Sequence, residues 1–195
     1  MRQSHGMSTL DWPPLLVLVT GLPGAGKTSV GQTLSEGLAI PFFSKDAFKE
    51  RIFDSLGWND KAWSRRVSEA SHRILDYLVE VELRAGRSLI VESNFKPEID
   101  SARFRELQSR FGVVGVQVLC WAEGDILFER YWARHQTERH PGHIESATPE
   151  EQRHDLAVGR CQPLQLGGPV IELDTTDFAK IDYPSLAQAI DDART

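Results

Sequence analysis

Eight residues constrain this chain more than any others. Gly21-Leu22-Pro23-Gly24-Ala25-Gly26-Lys27-Thr28 fits G-x-x-x-x-G-K-[ST], the phosphate-binding loop pattern. The apolar run over residues 15–20 reads as a buried parallel strand. After the loop, Val30, Leu34 and Leu38 recur at helical spacing. Strand, glycine-rich loop and helix form the context the pattern requires. The plain alternative is an ordinary glycine-rich turn. The residue types suit a triphosphate. Backbone N–H groups curled into a nest, at the positive end of a helix, hold a dense anion. Gly21, Gly24 and Gly26 let the backbone bend and approach closely because they lack Cβ. Lys27 would place a compact cation on the β- and γ-phosphates, and the Thr28 hydroxyl would ligate Mg²⁺. Candidate nucleotide contacts thus run through Gly21, Leu22, Pro23, Gly24, Ala25, Gly26, Lys27, Thr28 and Ser29.

The rest of the chain alternates strand and helix. Residues 40–44 read as a second strand and 46–53 as a helix. Asn59 or Asp60 would cap a long helix with an apolar stripe of Trp63, Val67, Ala70, Ile74, Leu78 and Val81, stopped by Gly86. Strands follow at 88–92, 113–120 and 170–174, with helices at 101–111, 125–138, from Pro149 (capped by Thr148) and 185–193. This order implies an α/β three-layer sandwich with a five-stranded parallel sheet. Such sheets bind ligands at the carboxyl ends of their strands. That edge gathers the loop, Asp46, Glu92 to Asn94, and Asp174-Thr175-Thr176. Residues 15–195 read as a single domain with a small helical lid around 125–148; residues 1–14 read as an N-terminal tail or a cloning remnant.

A net charge of −6 argues against a broad nucleic-acid or anionic-membrane surface. Cys120 and Cys161 have no metal-type spacing and indicate no disulfide framework, so a reducing cytoplasm is expected. No apolar run approaches a membrane span.

There is no N-K-x-D signature and no D-x-x-G after a strand, so a GTPase is not expected. The loop, the Ser44-Lys45-Asp46 junction, Val91-Glu92-Ser93-Asn94-Phe95, the Arg130-x-x-x-Arg134 helix with Arg139-His140-Pro141-Gly142-His143, and Leu173-Asp174-Thr175-Thr176 carry a resemblance. From about Leu15 onward the chain resembles small P-loop kinases of the adenylate kinase-like superfamily, the group of gluconate kinase, chloramphenicol phosphotransferase, polynucleotide kinase and the zeta toxins. The resemblance implies transfer of the ATP γ-phosphoryl group to a hydroxyl of a small-molecule acceptor, with Mg²⁺. It implies Lys27, Asp46 and Arg134 as the catalytic set. Asp46 sits where an acidic residue activates the acceptor; the plain alternative is a cap on the helix after Lys45, and one carboxylate can do both. Arg130 would cover adenine, Arg134 would reach the transferring group, and Arg139 would join them at the lid. The alternative is surface pairing of the helix arginines with Glu129 and Glu138. Glu92 would orient Mg²⁺ with Thr28, or simply end its strand, and Asn94 would contact the acceptor.

Lys45 and Lys49 offer charge to an anionic acceptor, while Arg51 reads as solvated. Phe48, Phe53, Trp58 and Trp63 read as core before they read as pocket. His140 and His143 read as lid-loop residues rather than a metal site. The resemblance implies that acceptor specificity resides in residues 48–73, which hold no decisive motif. A monomer or homodimer is expected. The competing class is an ATP-binding regulatory or toxin-type module with incidental ATPase activity.

Overall fold

The computed structural model describes residues 12–144 and 147–195. Most of the expected tail, residues 1–11, lies outside them. Strand β1 (Leu15–Gly21) is buried at every position. Its side chains alternate between two cores. Leu15, Val17 and Val19 pack with Val30 and Leu34, whereas Leu16 and Leu18 pack with Leu75 and Val79 on the other face. Each such side chain contributes about 1.5–3 kcal/mol when fully buried.

The chain continues as α1 (Lys27–Leu38), β2 (Phe42–Ser44), α2 (Lys45–Leu56), α3 (Lys61–Arg84), β3 (Leu89–Glu92), α4 (Pro97–Phe111), β4 (Val114–Trp121), α5 (Gly124–Thr137), α6 (Pro149–Leu156), β5 (Val170–Asp174) and α7 (Tyr183–Asp192). The sheet is parallel throughout, in the order β2-β3-β1-β4-β5. This is the three-layer α/β architecture expected. β1 lies between β3 and β4, so the loop leaves the sheet where crossovers diverge, which is the position for a ligand in such sheets. The register sets the chemistry level: Val19 and Ser44 both pair with Glu92.

Two local expectations need correction. α4 begins at Pro97, not near residue 101. Proline suits the first helical position, and the Asp100 carboxylate accepts from the Lys96 N–H at 2.6 Å, closing the start of the helix. On α3 the buried seam is Ser64, Val67, Ser71, Leu75, Val79 and Leu83. Of the expected stripe only Val67 is in it, and Ile74 is exposed. The seam is turned by about one residue because two serines belong to it. Ser71 Oγ donates to Val67 O at 2.7 Å, and Ser64 Oγ to Gly142 O at 2.8 Å, so both hydroxyls tolerate burial. The Asp60 cap is as expected: its carboxylate accepts from Trp63 N at 2.7 Å.

The loop after α5 docks on α2 and α3. Gly142 lies on the buried Phe53 ring, where an added Cβ would stand 2.4 Å from that ring. His140 stacks on Phe53 at 5.3 Å, and His143 Nε2 lies 3.0 Å from Glu50 Oε1. Phe53 is therefore core, whereas Trp58 is exposed and meets His140 edge-on.

Candidate active site

The phosphate-loop backbone needs its glycines at two points above all. Gly24 (φ 83°) leaves no room for Cβ against Leu127 O, 2.3 Å away. Gly26 (φ 70°) is the left-handed cap of α1, and a Cβ there would meet the Phe178 ring at 2.2 Å. Lys27 is buried and its Nζ donates to Leu22 O at 3.0 Å. Burial lowers its pKa from 10.5, and Glu92, Cys120 and Asp46 only partly offset this. A buried ammonium held against one carbonyl is a strong anion attractor.

Glu92 is buried at the end of β3 and accepts two hydroxyls on one oxygen. Ser44 Oγ donates at 2.6 Å and Thr28 Oγ1 at 3.3 Å. These are hard oxygen donors. No cluster of three or more His, Cys, Asp or Glu fit for a metal exists among the described residues. The pair suits Mg²⁺, which commonly takes one or two protein oxygens and fills its octahedron with phosphates and water.

Asp46 lies at the first turn of α2, beside Lys45 Nζ at 2.5 Å. Burial pushes its carboxyl up, but the Lys45 charge and hydrogen bond, with His143 and Arg139, hold it well below the usual carboxylate range. Arg130 donates to Thr175 O and Thr176 O, each at 2.9 Å, and lies 4.5 Å over the Phe178 ring. Two of its donors are thereby fixed, and it presents a flat cation beside the loop. Arg134 is exposed, one turn further, and its charge reaches Lys27. Neither arginine pairs with Glu129 or Glu138 among the described residues. Arg139 lies 5.7 Å over Tyr131.

One cleft of about 780 Å³ brings together Pro23, Gly24, Gly26, Lys27, Thr28, Ser29, Asp46, Glu92, Asn94, Arg130, Arg134 and Arg139. Gly21, Leu22 and Ala25 do not line it. Gly21 and Ala25 are buried beneath the loop, and Leu22 serves through its carbonyl. The cleft also holds residues to which sequence reasoning gave no role: Ser44, Glu50, His72, Tyr131, Gln152 and Phe178. Ser44 had a signal, since it ends a strand beside Asp46. His72 and Phe178 had none, because only the fold brings them to this edge.

Comparison with known proteins places this geometry. A family model described as "AAA domain" (AAA_33) matches residues 16–158. A crystal structure from Chloroflexus aurantiacus, described as a "putative kinase", is 40% identical, with a TM-score of 0.87 over 94% of this chain and 100% of that one. Kti12 of Chaetomium thermophilum in complex with ADP-AlF3 shares the fold at a TM-score of 0.66, 15% identity, and 92% and 99% coverage of the two chains. The shikimate kinase of Paracidovorax citrulli is 32% identical over 87 residues, which is 45% of this chain and 42% of that enzyme. The match thus spans less than half of that enzyme's length. The chain belongs to the AAA_33 family and has the adenylate kinase-like P-loop fold.

Proposed function

We propose that this family member is a cytoplasmic, Mg²⁺-requiring kinase that moves the γ-phosphoryl group of ATP to a hydroxyl of a small-molecule acceptor. One observation carries the reading. Lys27, Asp46 and Arg134 share a cleft closely enough that Asp46 and Arg134 both bear on the Lys27 charge. A donor anchor, a carboxylate and an exposed guanidinium around one space are the parts phosphoryl transfer needs.

The loop N–H groups and Lys27 hold the β- and γ-phosphates. Thr28 and Glu92 would hold Mg²⁺, which supplies charge neutralisation on the phosphate oxygens. Arg130 covers the base while Phe178 backs it. The acceptor hydroxyl faces Asp46, its oxygen bonds to the γ-phosphorus, and the bond to the β–γ bridging oxygen breaks. The proton passes to Asp46 and then to water. Arg134 stabilises charge on the equatorial oxygens, and the α5 segment with Arg139 acts as a lid that excludes water.

The competing reading is a regulatory ATP-binding module, and the Asp46–Lys45 pair favours it, since a carboxylate held by an ammonium is a weak proton acceptor. ATP turnover with and without a metabolite pool, read by mass, separates them. A kinase shows acceptor-stimulated ADP release and a product heavier by one phosphoryl group. ADP release indifferent to the pool sinks the kinase reading.

A further inference from the structure

Lys45 opens α2 at the acceptor end of the cleft. Its ammonium lies 2.5 Å from Asp46 Oδ1 and 3.5 Å from Ser68 Oγ. His72 reaches the same end from α3, and the transfer outlined above does not use it. The charges facing His72 are Lys45, Lys49 and Asp46 from α2 and Arg103 from α4. Arg103 is already matched by Asp76 and Asp100. Burial, with the three cations, brings His72 down to about 4. Its imidazole is therefore neutral at physiological pH, a hydrogen-bonding group among these charged side chains.

We propose that the acceptor carries, besides its reacting hydroxyl, an anionic group (a carboxylate or phosphate monoester) that seats on Lys45 with His72 hydrogen-bonded beside it. This rests on the kinase reading. It also accounts for the Lys45–Asp46 pair. A carboxylate held so far below its ordinary pKa is a weak proton acceptor. An incoming anion competes with Asp46 for Lys45 Nζ. Once the ammonium turns to the anion, Asp46 loses its closest cation and its proton affinity rises. Anchoring the acceptor and freeing the base become one event. A neutral polyol has no charge to offer Lys45, so Asp46 stays masked.

Two measurements test this. With the donor side filled by Mg-ADP, sodium sulfate or sodium acetate is titrated at constant ionic strength while NMR follows the His72 imidazole. The expected result is a saturable shift that Lys45→Met removes. No saturable shift, or one that survives Lys45→Met, overturns the anion seat. Lys45→Gln replaces Lys45→Met if the latter loses its native circular-dichroism spectrum. The second measurement compares phosphorylation of matched pairs by mass: polyhydroxy acids against their amides, and polyol phosphates against the parent polyols. The anionic member should lead by at least about tenfold in kcat/KM, and Lys45→Met should collapse that preference. The pair that responds separates carboxylate from phosphate. Equal turnover within pairs overturns the anion seat and leaves the kinase reading standing. A shifting His72 with no pair phosphorylated overturns the kinase reading and the acceptor role of this corner with it.

Discussion

The two halves of the cleft each present a lysine, and the two lysines are in opposite conditions. Lys27 on the donor side is buried against the Leu22 carbonyl, with its pKa lowered by desolvation. Lys45 on the acceptor side is matched at once by the neighbouring Asp46. The donor half is thus short of negative charge and preorganised for an anion. The acceptor half holds its cation in an ion pair, which the proposed anion seat would exchange for another contact. The first arrangement suits binding through fixed geometry; the second, as proposed, would make activation depend on what arrives.

The largest effect should come from the donor half. Lys27→Ala should take turnover below detection while circular dichroism and Tm stay near wild type, because removing a desolvated charge does not harm the core. Near-normal turnover would erase the distinction between the halves. Arg134→Ala comes next, with kcat lowered by about 10³-fold and ATP affinity changed far less. A loss confined to affinity would make Arg134 a ground-state contact.

Asp46→Asn should lower kcat by about 10²-fold with ADP affinity intact, as calorimetry can show. Unchanged transfer would remove the base. The pH profile sharpens the contrast. Lys27 has a folded pKa below 10.5, so the alkaline limb of kcat/KM for ATP should fall below that value, and the limb in kcat should move up once phosphates favour the charged form. For Asp46 the folded pKa lies below its unfolded 3.8. Its contribution to stability is complete above that value and fades as pH falls through the folded pKa. An acid limb of kcat/KM assigned to Asp46 at neutral pH would contradict the pairing with Lys45. The smallest effect is structural. Ser64→Ala should lower stability by about 1 kcal/mol in urea unfolding by freeing the buried Gly142 carbonyl. A neutral result would mean the loop after α5 is held by Phe53 packing and the His143–Glu50 contact without help from Ser64.

Much of this was legible in the sequence, in proportion to how local each feature is. Gly21 to Thr28 is continuous, and its glycines meet local limits, so pattern and structure agree. Asp46 followed from the rule that ligands gather at strand ends. The α3 seam is not legible from hydrophobicity, which favours Ile74 and Leu78, because burial falls to Ser64 and Ser71, whose hydroxyls find carbonyl partners. The start of α4 at Pro97 is hidden from apolar periodicity, since proline fits the first helical position without adding to the pattern. His72 and Phe178 carry no motif at all.

The sequence by itself determined the alternation of strands and helices, the phosphate loop, and the family. Backbone conformation and apolar periodicity are short-range properties, written within a few neighbours. Only the tertiary structure decided that Ser44 and Thr28 share one oxygen of Glu92, that Arg130 is fixed by the backbone after β5, and that Lys45 pairs with Asp46 in the cleft that His72 also lines. Those contacts join residues far apart in the chain or fix a side-chain choice, and both depend on how the helices come to rest on the sheet.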